Sequence, residues 1–121
     1  MKITRFKIPL FDYNVKLIKV ESNKDADSVV KALKPLKLDS EDLEEYKEDV
    51  INGKYNGAYH IYNFNLKLSV LLMYQHNSEK EYLETLGHEK RHLEDRILQL
   101  YGIEDIETAG LLAGYLTKKL F

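Results

Sequence analysis

From Ser78 to Gly102 the chain reads as one long helix, and this stretch constrains everything else. Leu86, Leu93, Ile97 and Leu100 recur at helical spacing, and Tyr82 or Leu83 carries the stripe backwards. Asn77 or Ser78 is placed to cap it, with Glu81 as the partner of Ser78 in a capping box, and Gly102 is placed to end it. The expected helix runs from about Glu79 to Leu100. One apolar stripe of that length needs an apolar surface to lie on, and the remaining residues have to supply it.

They do so with strands. Val15 to Val20 alternates as a strand does, and the stretch before it, interrupted by Pro9 and Asp12-Tyr13-Asn14, is a second. Leu66 to Tyr74 is apolar and β-prone, and Asn63-Phe64-Asn65 fits a turn that pairs it with Lys54 to Asn63 as an antiparallel hairpin. Helices are expected over Ser28 to Leu33, capped by Asp25 or Asp27 and ended near Pro35, and over Glu41 to Ile51, capped by Ser40 and stopped by Asn52-Gly53. Asp105 caps a last helix that reaches about Leu120. There is no repeat and no linker. The expectation is one α+β domain over residues 1–121, a small antiparallel sheet packed on helices, with the long helix and its return helix forming an αα-hairpin over the sheet.

Composition narrows the function. The net charge of -2, with both signs interspersed, offers no basic footprint for nucleic acid. No apolar run approaches a membrane span, and the start of the chain is too polar for a signal peptide, so a cytoplasmic protein is expected. The absence of cysteine excludes disulfides and thiolate ligands. A transition metal would have to use His, Asp or Glu, and there are only four histidines, His60, His76, His88 and His92.

Two of the four sit in His88-Glu89-Lys90-Arg91-His92, an HExxH motif inside the long helix. Histidines four apart on a helix point the same way and can reach one ion, and the glutamate between them can act on a metal-bound water. A catalytic zinc site takes three protein ligands and one open position. No histidine follows His92, so the third ligand is sought among Asp95, Glu104, Asp105 and Glu107. Glu107 is favoured. Gly102 turns the chain back, and Glu107 shares a helix face with Gly110, Leu111 and Gly114. Glycine costs roughly 1 kcal/mol in a helix interior, so Gly110 and Gly114 suggest the close approach of another backbone, and the motif helix is the candidate.

With these residues together, the stretch from about residue 83 to 118 resembles the C-terminal half of small zincin-like proteins of phages and mobile elements, a reduced gluzincin. The likeness is carried by His88-Glu89-Lys90-Arg91-His92, Ile97-Leu98, Gly102-Ile103, Asp105, Glu107-Thr108-Ala109 and Gly114-Tyr115-Leu116. It implies His88, His92 and Glu107 as zinc ligands, Glu89 as general base, Zn2+ as cofactor, and a metallopeptidase acting on a peptide or protein substrate. The pattern departs from active peptidases at Lys90 and Arg91, where uncharged residues are usual. The i,i+4 pairs Lys90–Glu94 and Arg91–Asp95 would neutralise these charges.

Plainer readings compete. HExxH can arise in a charged surface helix, and Glu107 and Asp105 are each favoured at a helix start for reasons unrelated to metal. His60 is expected as a cross-strand packing residue, or as a hydrogen-bond donor to a transition state. Tyr115 is expected in the core, or near the site. A non-catalytic interaction protein on the same scaffold, a homodimer built on the tyrosine-rich surface among its forms, is the alternative function.

Overall fold

The computed structural model describes residues 1–121. In chain order the elements are β1 (Lys2–Ile8), β2 (Tyr13–Lys19), α1 (Ala26–Leu33), α2 (Ser40–Ile51), β3 (Ala58–Asn63), β4 (Leu68–Met73), α3 (Glu79–Leu100) and α4 (Ile106–Leu120). The class is α+β, as expected. The strand order is β1-β2-β4-β3. Both outer pairs are antiparallel, but β2 and β4 run parallel, with Leu17 beside Leu71. The expected small antiparallel sheet is found, mostly antiparallel, with β2–β4 its one parallel pair. The reason lies in β4, where every residue from Ser69 to Tyr74 is buried. A strand that is apolar on both faces belongs in a sheet's interior, so β4 enters between β2 and β3 and leaves β3 as the edge.

Helices cover both faces. Ile18, Val70, Leu72 and Ile61 meet Val29, Leu33, Leu36 and Val50 on the α1–α2 side. Tyr13, Val15, Leu17, Leu71 and Met73 meet Leu86, Leu93, Ile97, Leu112, Leu116 and Leu120 on the α3–α4 side. Alternation along each strand assigns neighbouring residues to opposite cores.

The helix ends follow local chemistry. Ser78 accepts a hydrogen bond from the Glu81 N–H at 3.1 Å and starts α3. Asp105 accepts from Thr108 at 2.8 Å and starts α4. For α2 the cap is Asp39, accepting from Asp42, and Ser40 is already helical. For α1 the expected caps are not used, since Asp25 instead completes a capping box with Ser22 on a short 3₁₀ turn just ahead of it. Each such cap stabilises its helix by about 1 kcal/mol. Gly102 has φ 63°, the left-handed conformation that ends α3. No helix is long and apolar enough to cross a membrane.

The placement of α3 and α4 positions the site. Lys19, at the end of β2, lies over the Tyr82 ring near the start of α3, and Phe11, before β2, stacks on Tyr101 just past its end. Thus α3 runs antiparallel to β2 and β4, and therefore parallel to β3. It lies over β3 and β4, whereas α4 lies toward β1, where Tyr115 packs edge-on against Phe6 and donates to the Lys7 carbonyl at 2.6 Å.

Candidate metal centre

The apolar stripe of α3 turns Tyr82, Leu86, Leu93 and Ile97 into the core, and Glu89 is buried among them. His88 and His92 stand on the neighbouring stripe. Both are exposed. Their Nε2 atoms are 2.9 Å apart and their rings stand edge to face at 85°. With Glu89 they form a group whose donor atoms all lie within 4.8 Å of one another. Two nitrogens held 2.0–2.1 Å from a zinc ion at the tetrahedral angle are about 3.3 Å apart, so a small opening of the pair would seat the ion. The donor set fits zinc in kind, but it provides two imidazoles and one carboxylate that is also the motif's base.

Glu107 is not part of this group. The leucines at 112, 116 and 120 turn inward, while Glu107, Gly110, Leu111 and Gly114 face solvent. A Cβ added at Gly110 or Gly114 would meet nothing within 4 Å, so the expected close backbone approach is absent. Two geometric facts keep Glu107 away. First, the hairpin is antiparallel and tight. Leu120 shares a hollow with Leu83 and Leu86, and the Phe121 ring reaches Gly87, so the start of α4 lies roughly 10 Å beyond His92 along α3 at 1.5 Å per residue. Second, the histidine stripe faces the β3 side of α3, since Arg96, one turn beyond His92, lies over the Tyr62 ring of β3 at 5.7 Å. The α4 helix is on the opposite flank.

The other carboxylates are also elsewhere. Asp95 and Glu104 line a hollow of about 440 Å³ at the α3–α4 turn, together with Leu98, Gln99, Gly102 and Ile103. Asp105 is occupied by its capping bond to Thr108, which holds its carboxyl below the usual range. Of the two expected ion pairs, Lys90–Glu94 forms, while Arg91 has no acidic partner. Tyr115 is tied to β1 and is not brought to the histidines.

His60 is brought close. From His60 to Tyr62 a strand advances about 6.6 Å, and from His92 to Arg96 a helix advances about 6 Å. Because α3 and β3 are parallel and Tyr62 lies beneath Arg96, His60 sits at the level of the His88–His92 turn. Burial, then the charges of Arg96 and His92, push its pKa down to about 4. Its Nε2 bonds Ser69 Oγ at 2.7 Å, and Ser69 Oγ bonds the Tyr13 hydroxyl at 2.7 Å. Sequence reasoning missed this chain. The hairpin does place His60 and Ser69 on one sheet face, but Tyr13 comes from a strand 56 residues earlier.

No protein-family model matches the chain, and no curated protein or solved structure is similar to it.

Proposed function

We propose that this protein is a small zinc-dependent hydrolase, most simply a peptidase, with His88 and His92 holding the ion and Glu89 as general base. The observation that carries this reading is the imidazole pair, 2.9 Å apart, with the Glu89 carboxylate grouped beside it. Zinc, when bound, supplies a Lewis acid and an acidified water. Most of the Glu89 side chain is buried, but its carboxylate oxygens reach the surface, and none of the lysines and arginines of its own helix pairs with it. It takes the proton of the attacking water and passes it to the leaving amine. The free edge of β3 runs beside the pair, where an extended peptide can add as a strand. Two protein nitrogens hold an ion less firmly than three, so zinc affinity should fall below that of three-ligand centres.

The test is zinc titration together with hydrolysis of an unstructured protein substrate. The expected results are one zinc per chain, and a rate in Glu89→Gln at least about 100-fold lower with zinc retained. No stoichiometric zinc, or an unchanged rate in Glu89→Gln, would sink the proposal.

A second reading is an interaction protein on the same scaffold, a homodimer among its forms. It is favoured by the exposure of both histidines, since the hollow of about 440 Å³ lies at the end of α3 and not over them.

A further inference from the structure

Tyr13 and Ser69 are both fully buried, and each hydroxyl has partners only within the Tyr13–Ser69–His60 chain. That arrangement decides which way the protons run. If the His60 Nε2–H donated to Ser69 Oγ, either the phenolic O–H of Tyr13 or the O–H of Ser69 would be left in a dry interior with no acceptor. Folded proteins avoid unpaired buried donors. In the opposite sense every hydrogen is placed: the Tyr13 O–H donates to Ser69 Oγ, and the Ser69 O–H donates to His60 Nε2. The imidazole is then neutral with its proton on Nδ1, and Nδ1 has no protein acceptor.

Resting on the metal-centre reading above, we infer that His60 is a further catalytic residue, whose Nδ1–H donates a hydrogen bond to the anionic oxygen of a substrate or tetrahedral intermediate at the His88–His92 turn. Its level beside that turn follows from the matched advance of β3 and α3. A neutral ring suits the task, because it donates without adding a second cation beside the metal, and burial together with Arg96 keeps the ring neutral. The same tautomer excludes His60 as the missing ligand through Nδ1, since that nitrogen carries a hydrogen rather than a lone pair. Tyr13 and Ser69 act through His60 and are positioning residues.

Two measurements test this. The first uses metal-free protein: long-range proton–nitrogen NMR of His60 at neutral pH should show Nδ1 protonated and Nε2 bare, and a ring protonated on Nε2 overturns the inference. In Ser69→Ala the ring should lose this fixed tautomer. The second uses zinc-loaded protein and phenylphosphonate, a tetrahedral anion, followed by calorimetry. His60→Ala should keep its zinc and bind the phosphonate at least about tenfold more weakly, and His60→Gln, which retains an N–H, should recover part of the loss. Unchanged phosphonate affinity in His60→Ala overturns the inference. Loss of zinc in that variant also overturns it, in favour of His60 as a ligand. If the unmodified protein takes up no zinc, the metal-centre reading fails and this one with it, whereas zinc uptake with the wrong tautomer defeats this inference alone.

Discussion

On the α1–α2 face of the sheet, Ile18, Val29, Leu33, Leu36, Val70 and Leu72 close over one another. The one charge buried there, Lys16, donates to the Ala32 carbonyl at 2.9 Å. On the α3–α4 face the core is as well filled, yet it also holds Tyr13, Ser69 and Glu89, with His60 at its margin. The first face gives its buried ammonium a backbone acceptor. The second leaves a carboxylate without an ion-pair partner, an imidazole nitrogen without an acceptor, and two histidines that bond only each other. Hydrogen-bonding capacity left open at the margin of a well-packed core separates a face that only folds from one that can also bind.

The sharpest way to break this contrast is His92→Ala. The side chain is exposed and its ring contact is with His88, so stability should hold while stoichiometric zinc binding disappears in a calorimetric titration. If zinc binding survives, the centre lies elsewhere. Leu33→Ala acts on the other face. It should cost about 2–5 kcal/mol in urea denaturation, with zinc affinity unchanged wherever the protein remains folded. A matching loss of zinc would mean that the two faces are coupled through the sheet.

Acid provides a finer probe. His60 titrates near 4 in the folded protein against about 6.5 in an unfolded chain. As pH falls below about 6.5 the unfolded state takes up the proton first, so stability declines between about pH 6.5 and 4 and levels off below. The whole decline attributable to this residue is on the order of 3 kcal/mol. Urea midpoints across that range should slope in the parent and flatten in His60→Gln, and equal slopes would remove His60 from the account. The smallest expected effect is that of Glu107→Gln, whose zinc affinity should match the parent. A drop of tenfold or more would mean that α4 does not rest where the structure has it.

The local grammar of this fold was legible. Ser78, Asp105 and Gly102 mark the ends of α3 and α4 because caps and left-handed stops depend on neighbours within four residues. The hairpin of β3 and β4 was legible for the same reason. The insertion of β4 beside β2 was not, because parallel pairing across more than 50 residues leaves no spacing signal, only the unbroken burial of Ser69 to Tyr74. Of the candidate site, the motif residues were readable from helical spacing. The role assigned to Glu107 depended on taking Gly110 and Gly114 as a contact surface. Small residues mark either a close approach or an open face, and on α4 the fourfold spacing of Leu112, Leu116 and Leu120 was the deciding pattern.

That open face has a consequence for anyone wishing to engineer the molecule. Gly110 and Gly114 hold ordinary helical backbone in a part of α4 where an added methyl group touches nothing. Alanine at either position restricts the unfolded chain without crowding the folded one, and each exchange should raise stability by up to about 1 kcal/mol. The outer side of the last helix is thus a reserve of thermal tolerance, and a place to attach a spectroscopic label at a distance from the histidines.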